Sequence, residues 1–268
     1  MRNDEHRLHT VDRALTLLSF LNDHSGAHQL RELAAALDMN KAVVYRLLRT
    51  MQSHGYVSQD AVTTAYRIGP RALALGRRHD PTDVFAVARE PMRELARTSG
   101  FSAFLTLPLA HDSVCVDRAE AHTTVRVSYE IGRLLPYHAG APGKALLASF
   151  DAQRRVEAIG TGLLKRFTAA TIVSRTGLDT ELARITHRGY ATSAGEIEDD
   201  VSGVAAVIFD TTGNAAAALS LSGLSATLRE PLFDGLGRQL VAAARAISAD
   251  LGVSAAAVPA NATAAMER

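Results

Sequence analysis

The chain has 268 residues, enough for two domains, and 47% of them are hydrophobic, enough to give each domain a core. Its one cysteine, Cys115, excludes an intramolecular disulfide framework and a cysteine-rich metal site, and fits a reducing compartment. The formal net charge is only +1 but unevenly spread: residues 1–80 carry 11 Lys and Arg against 8 Asp and Glu, residues 81–268 carry 18 against 20. Met1 to His9 is polar and lacks the apolar core of a signal peptide. The longest uncharged stretch, Thr211 to Leu228, is rich in Ser, Thr, Gly and Asn and reads as strand and turns, not as a membrane span. A cytoplasmic protein with no membrane contact is expected.

From Thr10 to His24, Val11, Ala14, Leu15, Leu18 and Leu21 recur at helical spacing, and Ser25-Gly26 ends the run. A second helix is predicted over Gln29 to Leu37, with Leu30, Leu33, Ala34 and Leu37 on one stripe. The turn Asp38-Met39-Asn40 follows, with Asn40 placed as an N-cap. A third helix, Lys41 to His54, turns Val44, Leu47, Leu48 and Met51 inward and leaves Lys41, Ala42, Tyr45, Arg46, Arg49 and Gln52 outside. Tyr56–Ser58 and Tyr66–Ile68 then form a small hairpin, and Arg71 to Arg78 returns to helix. Asp80-Pro81-Thr82 marks a boundary. Thr82 or Asp83 caps a helix to Thr98, where Pro91 either kinks the helix or restarts it. Strands are expected at Phe101–Leu107, Ser113–Ala119 and Thr123–Tyr129. Helices follow from Gly140 to Phe150, Asp151 to Ile159 and Gly177 to Arg188. Strands return at Gly203–Phe209 and Ala215–Leu221, and a last helix runs from Thr227 to Leu251. The Ala-rich tail beyond Val253 carries no pattern. The expected domains are therefore 1–80, a linker helix 81–99, an α/β domain 100–252 and a tail 253–268.

Two short helices, a tight turn, and a third helix with a basic outer face make a helix-turn-helix, and the hairpin makes it winged. Such a helix offers side chains to base edges in the major groove of double-stranded DNA while its other face packs on its neighbours. Arg46 and Arg49 share one face and suit guanine or phosphate. Tyr45 suits a sugar or a thymine methyl, and Lys41 a phosphate. Gln29 and Arg31, at the start of the second helix, are placed against the DNA backbone. Arg67, Arg71, Arg77 and Arg78 add positive charge near the wing. The alternative is a three-helix structural unit whose solvated face happens to carry two arginines.

The ordered segments Val11-Asp12-Arg13-Ala14-Leu15, Leu30-Arg31-Glu32-Leu33-Ala34, Val44-Tyr45-Arg46-Leu47-Leu48 and Tyr66-Arg67-Ile68-Gly69 resemble the IclR family of bacterial transcriptional regulators. So do Leu135–Ala139 leading to Gly143–Ala148, Arg188-Gly189-Tyr190 with Glu196, Gly203–Ala206, and Ala218–Gly223. The resemblance covers about Thr10 to Leu251. It implies an α+β protein: a winged helix-turn-helix followed by a GAF-like α/β effector domain with an antiparallel sheet. One departure is that Ala42 and Val43 stand where the family usually has small hydroxyl residues. A polar contact is lost there and an apolar contact with a thymine methyl gained.

The resemblance also implies a pocket for a small metabolite, a carboxylate or aromatic acid, lined by Leu135, Ala141, Val201, Gly203, Ser220 and Ser222. Ser193 replaces an acidic residue found in some relatives, which makes the pocket less charged. The residues point the same way. Gly140 to Gly143 precede a helix start, where free N–H groups favour an anion. Ser220 and Ser222, two apart on a strand, share a face. Their bland counterparts are a plain chain turn and the solvent side of a half-buried strand. His138 is either a ligand contact or a packed loop histidine, and the acidic run Glu196, Glu198, Asp199, Asp200 reads as solvated loop. No cofactor or metal is expected. A phosphate-loop match fails at His138 and Ala145, no HExxH or GxSxG is present, and Cys115 sits in an apolar alternation. The alternative to a regulator is a metabolite-transforming enzyme with His138 as base and a structural N-terminal unit. A homodimer or dimer of dimers is expected from the apolar residues of the 83–98 helix.

Overall fold

A computed structural model describes residues 8–24, 26–75, 83–123 and 126–253. The chain divides into two compact units, Met1–His79 and Asp80–Arg268. The positions of Ser25, Arg77, Arg78, Asp80-Pro81-Thr82 and the tail after Val253 lie outside the described residues, as do Thr124 and Val125.

In the first unit, α1 (His9–Asp23), α2 (Leu30–Ala36) and α3 (Lys41–Ser53) enclose Leu17, Leu21, Leu33, Val44, Leu47 and Leu48, all buried. The Asn40 side chain accepts the Ala42 N–H at 2.8 Å, which satisfies one of the four free donors that open α3. The wing is β1 (Val57–Gln59) paired antiparallel with β2 (Tyr66–Ile68). Its turn is built on Asp60, whose Oδ1 accepts from the Val62 and Thr63 N–H groups and the Thr63 hydroxyl; these bonds hold its carboxyl below the usual range. His28 and Tyr66 exchange both backbone hydrogen bonds at 2.8 Å, an antiparallel bridge on the other edge of β2 that sequence reasoning did not anticipate. Gly69 is required here, because a Cβ would lie 2.4 Å from the Gly55 carbonyl oxygen. α4 follows as Pro70–Leu75.

The second unit is a six-stranded antiparallel sheet with helices on both faces. Its strands are β3 (Ser102–Pro108), β4 (Ser113–Ala119), β5 (Leu134–Leu135), β6 (Ala191–Ala194), β7 (Val201–Phe209) and β8 (Ala215–Leu224), in the order β5-β4-β3-β8-β7-β6. One face packs on α5 (Val84–Ser99) and α9 (Glu230–Asp250) through Met92, Leu95, Val204, Leu219, Leu221, Leu240 and Ile247. The other packs on α6 (Ala141–Ser149) and α8 (Arg175–Arg188) through Ala145, Leu146, Leu182, Ile185, Ala205 and Ala218. α7 (Ala152–Ile159) follows α6 and is capped by Asp151. Side chains alternate between the faces along each strand, so two layers of helix need strands that are apolar on both sides. β7 and β8 are, with buried residues at most of their positions.

Several expectations change. The strand expected over Thr123–Tyr129 is absent from its described part. Instead Arg126 and Ser128 bind Glu120, and Arg118 donates to the Tyr129 carbonyl at 2.7 Å, while Leu134–Leu135 takes the place beside β4. Side-chain bonds thus hold this segment where a ladder was expected. α5 runs unbroken through Pro91, capped by Asp83. The apolar face of α5, expected to meet a second copy, is covered by this chain's own sheet: Ala88, Met92, Leu95 and Ala96 are buried. Cys115 is buried in β4, and burial pushes its thiol up to about 11, as fits a core residue.

Candidate nucleic-acid interface and effector cleft

On α3, Lys41, Ala42, Tyr45, Arg46 and Arg49 are exposed, and Val43 is half-buried against the first-unit core. Arg49 reaches Gln52 only at 3.5 Å, so both arginines project from one open face. Arg31 on α2 and Arg67 on β2 are exposed as well. Gln29 is exposed but committed. Its side chain forms a capping box with Glu32, and its Nε2 donates to the Thr63 carbonyl at 2.7 Å, tying α2 to the wing turn.

In the second unit, Leu135, Ala141, Ser193, Val201, Gly203 and Ser222 converge on one cleft, at the start of α6 and the ends of β5, β6, β7 and β8. Gly203 keeps it open, since a Cβ there would lie 3.2 Å from Ser222 Oγ. Ser220 lies on the same side of β8, deeper, opposite Phe104 and Ala205 in the ladder. Both serines are buried, so this is not a solvent face. Gly143 and His138 do not line the cleft. A Cβ at Gly143 would sit 2.1 Å from the Pro136 carbonyl oxygen, so its role is close backbone packing. His138 Nε2 pairs with the Lys165 carbonyl at 2.8 Å and its ring stacks on Phe167, which makes it a packed loop histidine.

The acidic run is not simply solvated. Glu196 is buried, accepts the Gly140 N–H at 2.9 Å and pairs with Lys144, which is only 1% exposed. The anion expected at the start of α6 is therefore supplied by the protein itself. Glu198 lines the cleft and binds Arg133 at 2.6 Å, and Arg133 lies over the Tyr129 ring at 4.5 Å. Burial pushes the Tyr129 phenol up to about 12. Tyr129, Gly140, Pro142, Ile197, Glu198 and Ser202 complete the lining, and the cleft has a volume of about 20 Å³, room for roughly one water. Local pattern did not mark Tyr129 and Ile197, which come from loops that meet only in the fold, and Glu198 stood out only as part of an acidic run.

A winged helix-turn-helix unit joined in one chain to an α/β unit with a small cleft, mostly apolar with a few polar side chains, defines a ligand-responsive DNA-binding regulator. The family description "IclR helix-turn-helix domain" matches residues 10–61 and "Bacterial transcriptional regulator IclR C-terminal" matches residues 78–249, and the chain belongs to the IclR family of transcriptional regulators. It is 30% identical to the HTH-type transcriptional regulator XynR of Escherichia coli, over 92% of this chain and 99% of that protein. It is 29% identical to the HTH-type transcriptional repressor AllR of Klebsiella pneumoniae, over 91% and 90%. Among solved structures, an IclR transcriptional regulator from Alicyclobacillus acidocaldarius matches with a TM-score of 0.78 and 27% identity, over 92% of this chain and all of that one. An IclR homologue from Microbacterium hydrocarbonoxydans, in complex with 4-hydroxybenzoate, has the same fold at a TM-score of 0.77 and 23% identity, over 91% of this chain and all of that one. Among the described residues no helix is long and apolar enough to cross a membrane.

Proposed function

We propose that this chain acts in the cytoplasm as a homodimer, or a dimer of dimers, that reads a symmetric or repeated DNA site through Tyr45, Arg46 and Arg49 on α3. Lys41, Arg31 and Arg67 meet phosphates, and Ala42 and Val43 meet a thymine methyl. The open basic face of α3 is the observation that carries this reading. The first domain is taken as 1–80, and the second is extended from 100–252 to include α5, which serves as the first helix of its core. Dimerisation rests on a different surface from the one first expected. Leu8, Val11 and Leu15 form a stripe along α1, and each is more than half exposed.

The effector is a small carboxylic acid, aromatic acids included, held between Leu135, Ala141, Ser193, Gly203 and Ser222. Its carboxylate takes Glu198's place on Arg133, so the cleft opens as the ligand enters. The 4-hydroxybenzoate on a protein of the same fold belongs to this chemical class. An enzymatic role has lost its candidate base, since His138 is bonded away from the cleft.

The test is selection of genomic DNA fragments on the purified protein at ~150 mM salt, where weak non-specific binding is suppressed. Enrichment of a short repeated motif, lost in Arg46→Ala, is the expected result. No enrichment, with or without a metabolite extract, would overturn the regulator reading of these residues.

A further inference from the structure

A second cavity, of about 270 Å³, lies at the opposite end of α6 and β7 from the cleft. Its origin is a mismatch in strand length. β6 has four residues and pairs only with Ser202–Ala205, so the outer edge of β7 beyond Ala205 has no strand beside it. α6 and α8 cover one face there and α9 the other.

Alternate residues of β7 turn their backbone groups to this edge. The Val201 carbonyl accepts from Gly195, and the Phe209 N–H donates to Ser248 Oγ at 2.9 Å. Val207 falls between them, and among the described residues no backbone partner reaches it from this side. One free donor and acceptor are too few for an added strand, which relies on a row of them. They suit a small molecule.

The walls are apolar: Ala148 and Phe150 at the end of α6, Ile185 on α8, Ala206 on β7 and Val241 on α9. Two guanidinium groups line the same space. Arg155 is anchored by Nε and Nη2 to the Leu147 and Ala148 carbonyls at 3.0 and 2.6 Å. Arg245 is half-buried on α9, where burial lowers its pKa; it has a partner of its own, and the five N–H donors of a guanidinium allow a further bond. The one carboxylate in the lining, Asp151, has an oxygen occupied by the Arg154 N–H as the cap of α7. A partly desolvated cationic pair inside apolar walls selects an anion that carries a hydrocarbon body.

We infer that this cavity is a second ligand site, separate from the effector cleft, for a small organic acid whose carboxylate meets Arg155 and Arg245. Its body lies against Ala148, Phe150, Ile185 and Val241. α6 and β7 run from this site to the cleft, so a molecule at one end loads the elements that shape the other.

The test is calorimetric titration of the full chain with hexanoate and benzoate, with hexanamide and benzamide as uncharged counterparts. It compares the unmodified protein with Arg245→Gln, Thr186→Glu and Val201→Trp, the last filling the effector cleft. Thr186 is a half-buried lining residue whose side chain makes no hydrogen bond among the described residues, so its replacement keeps the test valid if Arg245→Gln folds poorly. At least one acid should bind the unmodified protein and Val201→Trp alike. It should bind Arg245→Gln and Thr186→Glu at least about tenfold more weakly, the loss of one charge-assisted hydrogen bond. Binding abolished by Val201→Trp alone would assign all ligand to the cleft and overturn the inference. So would amides binding as well as acids, or no binding of either acid to the unmodified protein.

Discussion

Arg46 and Arg49 stand three apart on α3 with their guanidinium groups in the open, and this is where sequence and structure agree most fully. Each should cost about 1–3 kcal/mol of DNA affinity when replaced by Ala, with relaxed specificity if it reads a base. Fluorescence anisotropy on matched and mismatched operators measures both, and unchanged binding in both variants would remove α3 from the interface. A different residue-scale effect concerns alkali. Tyr129 and Tyr190 are both pushed up to about 12, Tyr129 by burial and Tyr190 by burial followed by its hydrogen bond to Asp234. An unfolded tyrosine titrates near 10. Folding therefore favours the protonated phenols, and the stability they contribute is complete below about pH 10 and lost as pH rises toward 12. Urea midpoints measured from pH 8 to 12 should fall across that upper window, and less so in Tyr190→Phe.

The loop of residues 195–200 is tied to the start of α6 through Glu196, which accepts the Gly140 N–H and pairs with Lys144. Replacing Lys144 by Met leaves a buried carboxylate without its cation and should cost about 3–5 kcal/mol. Glu196→Gln, which keeps an acceptor for the Gly140 N–H, should cost less. Urea unfolding of both variants checks the order, and equal losses would mean that the charge is not what matters. Elements with strong periodicity were legible in the sequence. α1, α3 and α9 repeat apolar residues every three or four positions, and β7 and β8 are largely apolar runs broken only by serines and glycines. β5 and β6 were not, because two and four residues are too short to show a period and exist only through pairing with β4 and β7. The cleft was half legible. Its strand and helix positions came from the family resemblance, whereas Tyr129, Ile197 and Glu198 come from loops without pattern. Gly143 misled for a physical reason: a glycine in the first turn of a helix signals close approach of something, and here that is the Pro136 carbonyl.

For the whole molecule, the exposed stripe of Leu8, Val11 and Leu15 is the feature that a single copy does not account for. Leu15→Glu should shift sedimentation toward monomer and weaken binding to a two-half-site operator, while affinity for an isolated half-site stays unchanged. Sedimentation unaltered by the substitution would move the interface elsewhere. The clasp of Arg133 on Glu198 over a cleft that holds about one water also sets a tempo for sensing. A ligand must wait for the clasp to part, so its apparent affinity is the intrinsic affinity scaled down by the open fraction. Stopped-flow association should level off at high ligand concentration, at the opening rate. Both partners are partly exposed, so added salt should screen them and raise that plateau. Glu198→Gln should raise it further and leave little for salt to change. The protein would then answer to how long a metabolite stays abundant as well as to how much of it there is.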